Sequence, residues 1–245
     1  MLLTTIFSAR TAQALTGSSD LVVTATIASK LQPFYKGDKG SVVYVRQIGE
    51  KVYWFAERYD DKFASVFQGT MRGGQISGAY HYIPKGEAKG SGTLKVTLVD
   101  GGRILKLTGG NYNEQVLTAT KLPTKIPAGH RASYRGSTLK NLTGRWHGEN
   151  TGVTYILDEN QTIVGYSRGF RPGNHDRPSF AKVFFGTRTS TGIKIQWVDL
   201  PLGFTKCRGE ASFKIVGPHF IRLDGKHFPG VNHKRIKEDT KEVLP

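Results

Sequence analysis

Residues 63–70 read FASVFQGT, and residues 180–187, 117 positions later, read FAKVFFGT. At the same offset Tyr80 stands opposite Trp197, Pro84 opposite Pro201, Gly86 opposite Gly203 and Gly92 opposite Gly209. Upstream the offset becomes 111, pairing Tyr35 with Trp146, Tyr44 with Tyr155 and Phe55 with Tyr166. The difference, 117 − 111 = 6, places a six-residue insertion between Tyr166 and Phe180. The period is far longer than that of solenoid repeats, so each copy is expected to be a domain or half of one.

Within the first copy the apolar period is two, the signature of strands. VVYVRQ (42–47), KVYWFAE (51–57), ASVFQGTM (64–71), QISGAYHY (75–82), TLKVTLV (93–99) and ILKLT (104–108) are short, β-branched or aromatic, and separated by turn residues. FYKGDK before them and QVLTAT after them extend the count. The same phase recurs in the second copy, where Ile193, Trp197, Ala211, Phe213 and Ile215 match Ile76, Tyr80, Leu94, Val96 and Leu98. The expected fold is all-β, a tandem duplication of a small antiparallel meander. Two β-barrels of six to eight strands each are expected. One closed barrel built from both halves is the alternative.

The domain reading assigns residues 1–20 to an N-terminal arm or degenerate signal peptide and 21–120 to the first barrel. Residues 121–143, with two prolines and no period, read as a linker, 144–237 as the second barrel and 238–245 as a tail. Ala12-Gln13-Ala14 resembles a secretory cleavage site, but no basic region precedes it and Arg10 interrupts the apolar run. No stretch approaches 18 apolar residues, so no membrane-spanning helix is expected.

Net charge is +16 across 245 residues, which predicts attraction to polyanions. Residues 1–120 hold 14 basic and 9 acidic side chains and residues 121–245 hold 21 and 10, so the second copy is the more basic. Exposed aromatics on strands with positive charge can stack bases, yet no nucleic-acid motif is present and the basic residues are dispersed. Nucleic acid is therefore not the expected partner. The single cysteine, Cys207, excludes an intrachain disulfide and reads as a buried apolar residue on or beside a strand.

The run Gly40-x-x-x-Tyr44-Val45-Arg46-Gln47-Ile48-Gly49, then Val52-Tyr53-Trp54-Phe55-Ala56-Glu57, Val66-Phe67-x-Gly69, Pro84-x-Gly86 and Gly90-Ser91-Gly92-Thr93-Leu94 resembles a group of small bacterial β-domains. These carry a tryptophan-glycine start, a tyrosine-rich IRQ-x-G strand and a VWW-x-GE strand. The resemblance implies a fold and a secreted, periplasmic or cell-surface setting, with the cytoplasm as the alternative. The second copy keeps Gly144-Arg145-Trp146 and Tyr155 but has Asp158 for Gln47 and Arg168 for Glu57. The outline is also similar to avidin-like and lipocalin-like barrels, at fold level alone.

Chemistry-bearing motifs are sparse. Gly173-Asn174-His175-Asp176 looks like a metallophosphoesterase element, but an Asp-x-His partner is absent and the tetrapeptide lies in the insertion of a β-repeat. His219, His227 and His233 have no zinc-like spacing. No motif implies a cofactor or metal. The aromatic residues are more informative: Tyr or Trp inside a barrel needs a polar partner, so they either fill a core or line a pocket. The expected ligand-binding residues are Tyr44, Arg46, Trp54, Glu57 and Tyr80, matched by Tyr155 and Trp197. The expected function is a non-enzymatic extracytoplasmic binding protein with a small-molecule or glycan pocket in the first barrel. The alternatives are a structural or interaction module binding an anionic polymer or surface, and a hydrolase using Glu57 and Asp199.

Overall fold

The computed structural model describes residues 30–123, 141–148, 152–170, 178–217 and 219–224, and the backbone of 232–235. The arm and signal reading, the GNHD tetrapeptide, His227, most of the linker and the tail lie outside these residues. The first meander is β1 (Phe34–Gly37), β2 (Val42–Ile48), β3 (Lys51–Glu57), β4 (Ala64–Arg72), β5 (Gln75–Tyr82), β6 (Ser91–Val99), β7 (Ile104–Thr108) and β8 (Val116–Ala119). Each strand pairs antiparallel with the next, and β8 returns to β1 through Tyr35↔Ala119 and Gly37↔Leu117, closing the barrel. The eight-strand count is at the upper end of the expected range.

The second copy repeats this with β9 (Gly144–Gly148), β10 (Gly152–Glu159), β11 (Thr162–Gly169), β12 (Phe180–Arg188), β13 (Gly192–Asp199), β14 (Arg208–Gly217), β15 (Phe220–Leu223) and β16 (Asn232–Arg235). Here β16 pairs with β9 from His233↔Gly148 to Arg235↔Trp146, closing the second sheet. The duplication therefore produced two barrels rather than one shared barrel. Asn141, Leu142 and Thr143, read as linker, belong with the second barrel. Leu142 is sealed in its core, and the Leu142 amide donates to Asp158 Oδ2 at 2.9 Å.

Local chemistry accounts for the tightest connections. Gly73 and Gly74, both at positive φ (53° and 78°), form the two-residue turn whose twist matches the β4–β5 strands. At the β10–β11 turn Asn160 and Gln161 adopt the same sign (51° and 66°), a conformation that favours asparagine at the first position but is costly for glutamine.

Three apolar clusters result. Inside the first barrel lie Tyr35, Val43, Trp54, Phe67, Tyr80, Leu94 and Val96, and inside the second Trp146, Ile156, Phe184, Ile193, Trp197 and Phe213. The third cluster lies between the barrels and draws on the outer faces of both: Tyr44, Phe55 and Val66 from the first, Tyr155, Tyr166 and Val183 from the second. This explains why β2 and β3 are sealed on both faces over several consecutive residues instead of alternating.

The inter-barrel contact is nearly two-fold. β3 meets β12 while β4 meets β11, and these are the exchanged equivalents of one another. Phe55 and its counterpart Tyr166 stack on each other with centroids 3.7 Å apart and planes 8° from parallel. Two equivalent side chains can face each other in this way only at a pseudo-dyad.

Candidate functional site

The register separates the expected site residues by face. Tyr44 pairs with Phe55 and Val45 with Trp54, so Tyr44 points out of the first barrel and Trp54 points into it. Trp54 stacks on Phe67 at 3.6 Å, and its indole N–H donates to Tyr112 Oη at 3.3 Å. Tyr112 Oη shares a 2.9 Å hydrogen bond with Ser65 Oγ, and its ring meets Tyr80 at 4.9 Å. The Tyr35 hydroxyl donates to the Gly102 carbonyl at 2.6 Å, and burial raises its pKa to about 12. None of Tyr35, Trp54, Phe67 or Tyr80 exposes more than 2% of its surface, so these rings pack against one another as core.

Tyr44, Glu57 and Tyr155 lie instead in the inter-barrel cluster and its border. Tyr44 Oη donates to Glu57 Oε1 at 3.3 Å, while Lys85 Nζ sits 2.7 Å from Glu57 Oε2. Burial, then the negative charge of Glu57, holds the Tyr44 hydroxyl far above its ordinary pKa. Arg46 reaches across the edge of the interface, where Nη2 donates to the Lys206 carbonyl at 3.4 Å. The seven expected residues thus occupy three places: Trp54 and Tyr80 inside one barrel, Trp197 inside the other, and Tyr44, Arg46, Glu57 and Tyr155 between them. They do not converge on one pocket.

Inside the second barrel a row of polar residues crosses four strands through the pairings Thr154↔Ser167, Ser167↔Lys182 and Lys182↔Asp199. The corresponding row in the first barrel is Val43, Ala56, Ser65 and Tyr82. Thr154 and Ser167 hydroxyls lie 2.8 Å apart, and Lys182 Nζ is 3.5 Å from Asp199 Oδ1 and 4.1 Å above the Trp197 ring. Burial lowers the Lys182 pKa to about 8, against the opposing pull of Asp199. Glu57 and Asp199, the carboxylates considered for hydrolysis, therefore belong to separate environments. Asp199 Oδ2 also accepts from the Cys207 amide at 2.9 Å. Cys207 itself is exposed rather than buried, because it lies on the turn leading into β14 and only its backbone is drawn inward.

The outer walls carry a second pattern. On the first barrel the register Lys51↔Thr70↔Ser77↔Lys95↔Thr108 forms one row across five strands. Beside it runs Arg72↔Gln75↔Thr97↔Lys106. Neither row contains an acidic or aromatic side chain, and a groove of about 520 Å³ runs over their middle, lined by Thr70, Arg72, Gln75, Ser77, Lys95 and Thr97. The second barrel has an equivalent row, Thr162↔Thr187↔Lys194↔Ser212. Strand parity carried the signal for these rows, since the positions alternate with the core residues. Comparison with protein-family models, curated proteins and solved structures finds no match to this chain.

Proposed function

We propose that this protein is a non-enzymatic, extracytoplasmic binding protein that holds an anionic polysaccharide against the outer walls of its barrels. The observation carrying this reading is the row of hydroxyls on both copies, interleaved with two lysines, Lys51 and Lys95, on the first and with Lys194 on the second. Ammonium groups spaced along a strand-crossing row match the charge of a carboxylated, sulfated or phosphorylated chain, and the interleaved Thr and Ser hydroxyls match its oxygens. The absence of aromatic side chains from the rows removes the stacking platform that single-stranded nucleic acid uses. A small-ligand pocket inside the first barrel finds no comparable support, because its interior is occupied by mutually hydrogen-bonded rings.

The test is titration with dextran sulfate, polygalacturonate and homopolymeric RNA across a range of salt. Lys51→Gln/Lys95→Gln/Lys194→Gln is expected to weaken polysaccharide binding at least about tenfold, roughly 1.4 kcal/mol, without changing the melting temperature. Unaltered binding in that variant, or stronger binding to RNA than to either polysaccharide, would overturn the reading.

A further inference from the structure

The pseudo-dyad makes the two edges of the inter-barrel interface comparable, and they differ. At one edge Tyr53 and Phe185 meet with ring centroids 6.1 Å apart, and Arg46 bridges to the Lys206 carbonyl at 3.4 Å. At the other edge the equivalent positions hold smaller or shorter side chains. Val164 stands for Tyr53, Gln68 for Phe185 and Leu157 for Arg46, with Lys89 at the place of Lys206. The first edge is bridged, whereas the second opens into a cleft of about 240 Å³ between the β5–β6 loop and the start of the second barrel. A concave site between two domains is where small ligands characteristically bind.

The lining is chemically specific. Ile83, Pro84 and Leu157 supply an apolar wall, while Glu87 comes from the first barrel and Glu159 from the second, both exposed. These two acids are peculiar to the open edge, because their counterparts at the bridged edge are Phe204 and Ile48. Asp158, also on the wall, is already committed to Arg188 Nε at 2.8 Å and to the Leu142 amide. Glu159 also lies close enough to His81 to raise the pKa of that imidazole, against the larger lowering by burial. One cation, Lys89, borders the cleft on an exposed and flexible stem.

We infer that this cleft binds a small aliphatic diamine, with one ammonium directed to the Glu87 carboxylate, the other to Glu159, and the methylene chain along Pro84 and Leu157. The site is independent of the outer rows proposed to hold polysaccharide. On a chain of net charge +16, a pair of exposed carboxylates beside an apolar wall gives a cation a local minimum.

The probe is 1,4-diaminobutane, followed by calorimetry and by thermal shift, with 1-aminobutane and 1-butanol as controls. Saturable binding in the order diamine, monoamine, alcohol is expected. Glu159→Gln and Glu87→Gln should each weaken the diamine about tenfold, the order of one charge-assisted contact. Lys89→Gln should tighten it, and Leu157→Arg, which installs at this edge the side chain found at the other, should abolish binding. Polysaccharide binding should be unchanged in Leu157→Arg, which separates this site from the outer rows. No saturable diamine binding, equal binding of butanol, or indifference to Leu157→Arg would each overturn the inference.

Discussion

Lys85 places its ammonium 2.7 Å from the Glu57 carboxylate, and neither side chain exposes more than 1% of its surface. Burying two ions is tolerable only while each compensates the other, so losing one partner costs more than losing both. Lys85→Met is expected to destabilise the protein by about 3–5 kcal/mol in urea unfolding, and Glu57→Leu/Lys85→Met to recover most of that loss. Equal destabilisation by the single and double variants would show that the pair is not coupled.

The ring pair at the pseudo-dyad gives a second prediction. Tyr166→Ala removes a stacked, fully buried ring from the contact with Phe55 and is expected to cost about 3–5 kcal/mol. Because the ring belongs to neither barrel interior, the loss should fall on the coupling between barrels. Calorimetry should resolve two transitions in place of one, while Tyr166→Phe, which keeps the stack, melts as a single unit.

The inter-barrel face was written in the sequence but not as a site. VVYV at 42–45 and WFAE at 54–57 are runs without polar alternation, the pattern of strands covered on both sides. Assigning Tyr44 and Trp54 to a common pocket overlooked their register. The hairpin through Gly49 pairs Tyr44 with Phe55, which puts the tyrosine and tryptophan on opposite faces. Strand number, duplication and inward phase were legible because period two and the 117-residue offset can be read along the linear sequence without knowing any pairing. The Lys182–Asp199 pair, by contrast, depends on the exact β12–β13 register, which sets Lys182 directly opposite Asp199, and Lys85 reaches Glu57 from outside any strand. Nothing in their spacing announced either contact.

Tyr112 closes the first barrel from the loop before β8, accepting from Trp54 and sharing its hydroxyl with Ser65. Tyr112→Phe strips both of a partner in a site sealed from water. It is expected to cost about 1–3 kcal/mol, well above the usual effect of removing one exposed hydroxyl. Ser65→Ala/Tyr112→Phe should cost less than the sum of the two single changes, a non-additivity measurable in a double-mutant cycle.

Lys182 ties stability to pH. Its pKa is about 8 in the folded protein against an ordinary 10.5, so between those values the unfolded chain binds more protons than the folded one. Its contribution therefore rises with pH across that window, is complete above 10.5, and is lost as pH falls through about 8. The stability difference between wild type and Lys182→Met should shift in favour of wild type from pH 8 to 10.5. A flat difference over that interval would contradict the burial of this amine.

Closure of each barrel through its own first and last strands also bears on how the chain is made. The first barrel needs nothing beyond Ala119 to complete its hydrogen-bonded ring, so it is able to close on the ribosome while the second is still being synthesised. Until Tyr166 and Val183 arrive, however, Tyr44, Phe55 and Val66 form an uncovered apolar wall. The nascent first barrel is thus left with an uncovered apolar side. Synthesis of the second copy in the same polypeptide supplies that face with its partner at high effective concentration, turning a potential aggregation surface into the seam of one molecule.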